Sequence, residues 1–175
     1  NKFLFVKDFI NKRLGYVDAF MDYIDTSDVA SYVKLGHTHT GTMSLTFTAN
    51  QATSLTVKWT QTGPTTRVTI PSGDTPVTVS YTYGSSSSTN QMWISGIRYI
   101  TKIEGLSDKH IQEVILQNPD SLHWLDLSGS SNTFSSGFEI SSGTELTYLS
   151  LENTINVNGD TLGASEFSSL TKLET

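Results

Sequence analysis

Three copies of one hydrophobic signature, L-x-x-L-x-L, set the firmest limit on what this chain can become. They are Leu122-His123-Trp124-Leu125-Asp126-Leu127, Leu146-Thr147-Tyr148-Leu149-Ser150-Leu151 and a last partial copy, Leu170-Thr171-Lys172-Leu173. The step from 122 to 146 is 24 residues, and the step from 146 to 170 is 24 again. A weaker copy, Ile100-Thr101-Lys102-Ile103-Glu104-Gly105, begins 22 residues before the first. A period within about 20 to 29 residues predicts a leucine-rich-repeat solenoid over 98–175, with short parallel strands on a concave face and leucines inside. His123, Trp124, Asp126, Thr147, Tyr148 and Ser150 then fall on the outward positions. Trp124 and Tyr148 hold the same place in successive copies and should lie side by side, either as an aromatic strip suited to a protein or glycan partner or as a cover for the edge of the hydrophobic core. Trp124, Tyr148, His123 and Asp126 are therefore the candidate ligand-binding residues. Between copies, Ser107-Asp108-Lys109 ahead of Ile111, Val114 and Ile115 predicts a capped helical turn ending before Pro119.

Upstream the hydrophobic period is two. Met43, Leu45 and Phe47 alternate with Ser44, Thr46 and Thr48; Leu55, Val57 and Trp59 alternate with Thr56, Lys58 and Thr60. Val68 and Ile70, then Val77, Val79, Tyr81 and Tyr83, continue the pattern, and Met92-Trp93-Ile94 closes it. Gly, Pro, Ser and Asn clusters separate the runs. Five short antiparallel strands with frequent turn signals predict a small β-sandwich of immunoglobulin-like character over 42–97.

The first third reads differently. Phe3, Val6, Ile10, Leu14, Val17, Met21 and Ile24 are spaced by 3, 4, 4, 3, 4 and 3, a helical seam. Gly15 interrupts it, so the segment fits either a hairpin of two short helices or an oligomerising, particle-docking helix. Val29, Tyr32 and Val33 fit a further turn or two, and a helical anchor over 1–35 is expected, with Phe3, Val6, Ile10, Leu14, Val17 and Met21 as its contact residues.

Between helix and sandwich lies Gly36-His37-Thr38-His39-Thr40-Gly41. In an extended run His37 and His39 share a face and could meet one neighbour or one metal ion, although two histidines from one chain do not close a site. A hydrogen-bonded turn is the other reading. Tyr32 to Thr40 resembles the tyrosine-led linker ending in His-x-His of bacteriophage tail-fibre and other virion-fibre proteins. That resemblance implies a linker over 36–41 and a parallel trimer, whose converging His37 and His39 side chains would suit a divalent transition metal. A second resemblance spans roughly 65–175: Val68-Thr69-Ile70-Pro71-Ser72-Gly73 and Ile94-Ser95-Gly96 ahead of leucine-rich repeats are similar to surface proteins of Bacteroidota-type bacteria.

Composition narrows function. A net charge of −6 with only 11 Lys and Arg argues against nucleic-acid binding. With no cysteine, neither a disulfide framework nor a thiolate metal site is available. No apolar run approaches the length of a membrane span. The chain contains no nucleophile elbow, Walker loop, dinucleotide fingerprint or H-E-x-x-H motif, so no catalytic residue is assigned. The absent initiator Met and the break inside a repeat suggest part of a longer polypeptide. The expectation is a multi-module, mainly β protein: helical anchor, immunoglobulin-like sandwich and leucine-rich-repeat solenoid. It would serve as a structural fibre or adhesin of a virion, contacting capsid or tail proteins and a host-surface protein or glycan. A bacterial cell-surface adhesin is the alternative.

Overall fold

Each alternating stretch becomes a strand because one row of its side chains can be buried while the other meets solvent. The computed structural model describes residues 31–85, 88–140, 145–154, 167 and 170–173. Its strands are β1 (Tyr32–His37), β2 (Gly41–Ala49), β3 (Thr53–Lys58), β4 (Thr65–Ile70), β5 (Val77–Tyr83) and β6 (Asn90–Ser95). After a 3-10 turn at Ile97–Tyr99 come β7 (Ile100–Glu104), β8 (Ile111–Gln117), β9 (Trp124–Asp126), β10 (Gly137–Ile140) and β11 (Tyr148–Ser150). They form two mixed sheets, ordered β10-β8-β1-β6-β3-β4 and β11-β9-β7-β2-β5. The five runs of period two are β2 to β6, and their inward residues Met43, Leu45, Phe47, Leu55, Val57, Trp59, Met92 and Ile94 are buried in one core.

The expected separation into anchor, five-stranded sandwich and solenoid is not what the chain builds. Tyr32 and Val33, assigned to the end of a helix, open β1, which lies antiparallel between β6 and β8. Inside that sheet Val33 and Leu35 bury alternate side chains while both backbone edges are paired, which outweighs a short and weak helical pattern. The seam residues Phe3, Val6, Ile10, Leu14, Val17 and Met21 lie outside the described residues.

The repeat region is corrected as well. Among the described residues its strands form no leucine-rich-repeat solenoid; they widen the sandwich. β7 pairs antiparallel with β2, β9 lies parallel to β7, and β11 lies parallel to β9. On the opposite sheet β8 pairs with β1, and β10 lies parallel to β8. The chain thus passes from one sheet to the other and back, and one such circuit accounts for the steps of 22 and 24 residues seen in the sequence. Where a helical turn was expected after Ser107, Ile111 to Gln117 is strand, with Ile111, Val114 and Leu116 buried. The β-branched residues of this segment fit a pleated, half-buried surface, and its backbone is needed as the neighbour of β1.

Gly105 explains why the weaker copy at Ile100 departs from the leucine pattern. Its φ is +100°, and a Cβ there would stand 2.0 Å from the Ser44 carbonyl oxygen, so no leucine fits and Leu106 takes the buried place instead. Asn132, which carried no signal in the sequence, joins the circuits. Fully buried, it accepts from the Lys109 and Ile111 N–H groups at 3.1 and 2.9 Å. Its amide donates to the carbonyls of Leu106, Leu127 and Ser128 at 3.0, 2.9 and 3.1 Å. One side chain thereby satisfies the backbone at the end of β7, the start of β8 and the end of β9.

Candidate functional site

The outward face of β7, β9 and β11 carries the residues singled out in the repeats. Parallel pairing sets Lys102 opposite Trp124 and Trp124 opposite Tyr148. At a strand spacing of about 4.8 Å, side chains in such a row must stack face to face. The Trp124 and Tyr148 rings do so, with centroids 5.2 Å apart and planes 6° from parallel. On the other side of Trp124, the Lys102 ammonium stands 4.3 Å from its ring centroid, a cation–π contact. Lys102 also pairs with Glu104 at 3.0 Å. Both faces of the indole are therefore occupied, and the strip is a ladder on edge rather than a flat platform. The free end is Tyr148, which at 46% is the most open of the large hydrophobic side chains among the described residues.

Two further candidates on this face have local duties. The Asp126 carboxylate accepts the Ser128 N–H at 2.9 Å, closing the turn after β9. The His123 imidazole is exposed, while its carbonyl accepts from the N–H groups of Thr147 and Tyr148, both at 3.0 Å, and fixes the approach of β11.

The two histidines separate in three dimensions. His37 ends β1 at a shift of register against β8 and has no exposed surface. His39 follows the strand, so the i, i+2 rule no longer applies to it; its ring is half-buried and stacks on His110 at 6.2 Å. The His39 N–H donates to His37 Nδ1 at 3.2 Å, which leaves the proton of neutral His37 on Nε2. That Nε2 has no hydrogen-bond partner among the described residues, and the ring packs edge-on against Tyr83 with centroids 4.5 Å apart. Burial pushes the His37 imidazole from 6.5 down to about 4, with His39 and His110 adding to the effect. His39 is lowered too, by burial first, while its bond to the Thr42 carbonyl raises it and Lys109 and His110 lower it further.

His37 thus belongs to its own chain's core, in a row with Tyr83, Tyr81 and Trp59. An arrangement in which three copies turn both His37 and His39 toward a shared metal is not available to a fully buried ring, and the segment is a corner between β1 and β2 rather than a linker. Among the described residues no three His, Asp or Glu side chains are grouped as metal ligands. No described helix is long and apolar enough to cross a membrane. No protein-family model, curated protein or solved structure matches this chain.

Proposed function

We propose that this chain is a non-enzymatic attachment module whose recognition face is the outer surface of β7, β9 and β11, with Tyr148 as its anchor. The observation that carries the reading is the exposed Tyr148 ring held against Trp124 at 5.2 Å. An aromatic ring that is already immobilised loses little entropy on binding, and such rings dominate interfaces with proteins and sugars. Trp124 and Lys102 act as the backing of that ring. The chemistry fits a host-surface protein or glycan.

The setting proposed is a virion fibre, on the strength of the Tyr32 to Thr40 resemblance, with a bacterial surface adhesin as the alternative. Docking on capsid or tail proteins and assembly as a trimer belong to the same proposal and rest on the same resemblance. Tyr148→Ala should lower attachment to host cells or to immobilised surface glycan by about tenfold or more, the loss of a central aromatic contact. Thr147→Ala, alongside it, should bind as the parent does. If Tyr148→Ala keeps its melting temperature and full attachment, this face is not the recognition surface. Antibody against the chain should decorate purified particles in the virion setting and intact bacterial cells in the alternative.

A further inference from the structure

We propose that β5 is a self-pairing edge, through which a second copy of this chain joins the five-stranded sheet antiparallel, about a twofold axis at Ser80. This interface is independent of the attachment face, which lies at the β11 end of the same sheet.

Among the described residues β5 has one strand neighbour, β2, and its other edge ends the sheet. Unpaired edges are templates for further strands, and proteins commonly blunt them with a charge, a proline or a bulge. β5 has none of these: Val77-Thr78-Val79-Ser80-Tyr81-Thr82-Tyr83 is seven residues without charge, proline or glycine, paired to β2 in unbroken register. β4, one of the two strands that end the other sheet, carries the exposed Arg67.

The strand is also self-complementary. Turned about Ser80, an antiparallel copy sets Ser80 opposite Ser80, Thr78 opposite Thr82 and Val79 opposite Tyr81. Within one chain β5 already makes that kind of contact. Its exposed hydroxyls meet those of β2 in a ladder, Thr82 with Thr42 at 2.9 Å, Ser80 with Ser44 at 2.8 Å and Thr78 with Thr46 at 2.7 Å. A hydroxyl can donate once and accept twice, so each rung retains capacity for one more partner. Pairing two β5 strands extends every rung into the second copy and forms a continuous sheet of ten strands from the two sets of five. On the inner face Val79 and Tyr81, which are only half-buried, cover one another across the axis.

The native chain has no cysteine, which makes the register directly testable in the full chain. Ser80→Cys should oxidise to a disulfide-linked dimer running at twice the monomer mass on a non-reducing denaturing gel. Thr78→Cys alone and Thr82→Cys alone should stay monomeric on that gel, whereas their mixture should cross-link. A denaturing gel reads only the engineered thiols, so assembly through other parts of the chain does not contribute. Cross-linking of all single variants alike, or of none while each keeps the parent melting temperature, overturns the pairing. If Ser80→Cys fails to fold, the Thr78→Cys and Thr82→Cys mixture tests the same register by itself.

Discussion

A neutral imidazole sealed in an apolar core makes stability depend on pH, and His37 is placed to do this. In the folded chain its value is about 4, below the 6.5 of an exposed histidine. As pH falls, the unfolded chain therefore takes up the proton first. Stability is fully present above pH 6.5, declines as pH drops toward 4, and levels off below that. A gap of about 2.5 pH units at 1.36 kcal/mol each comes to about 3 kcal/mol. Urea midpoints measured from pH 7 to 4 should fall steeply for the parent and less for His37→Phe, the difference isolating this residue from carboxylates that titrate nearby. Parallel curves would show that His37 is not the group responsible. Asn132 is the second residue whose loss should be felt well beyond its size. Asn132→Ala strands the buried N–H of Ile111 and the carbonyls that the amide served, at a cost of about 3 kcal/mol by chemical denaturation. A change under about 0.5 kcal/mol would mean that water replaces the amide without penalty.

At the scale of the element, the repeat strands are short and depend on what lies beneath them. Leu125 is buried under β9, whereas Leu149, its counterpart on β11, is only half-buried. Leu125→Ala should cost about 2 to 5 kcal/mol and Leu149→Ala clearly less, since the transfer and cavity terms both scale with burial. Equal shifts in the two melting midpoints would contradict the difference in packing. The equivalence of these leucines, and of Trp124 with Tyr148, was legible in the sequence because parallel strands one circuit apart reproduce the spacing of the repeat. Two facts were not: that both faces of Trp124 are taken, and that Ile111 to Gln117 runs as strand. Strand spacing and the demand of β1 for a second neighbour decide them, and neither is a local property. The His-x-His run misled for a similar reason. Its extended rule holds only while the strand lasts, and β1 stops at His37.

For the whole molecule, the distinguishing feature is that the sheets draw strands from both sides of the 42–97 stretch. β1 enters from before it to pair with β6, and β7 enters from after it to pair with β2. A chain confined to residues 42–97 should therefore fail to give the cooperative thermal transition of the full chain, because two strand edges and the core side chains facing them are exposed together. A sharp melt and dispersed amide resonances from that fragment would show that the flanking strands are dispensable.

The sequence alone carried the local periodicity of β2 to β6 and of the repeat strands: that these stretches are extended, which of their residues face inward, and that strands near 102, 124 and 148 stand in equivalent places. Those follow from alternation and spacing, which each segment carries within it. The tertiary structure decided where the strands go. Joining β1 to β6 and β8, extending the sandwich instead of starting a solenoid, sealing His37 inside and leaving Tyr148 out all depend on contacts between residues far apart in the chain. Such pairings are settled by the backbone groups and apolar surface that each sheet must still cover, and no window of sequence contains that information.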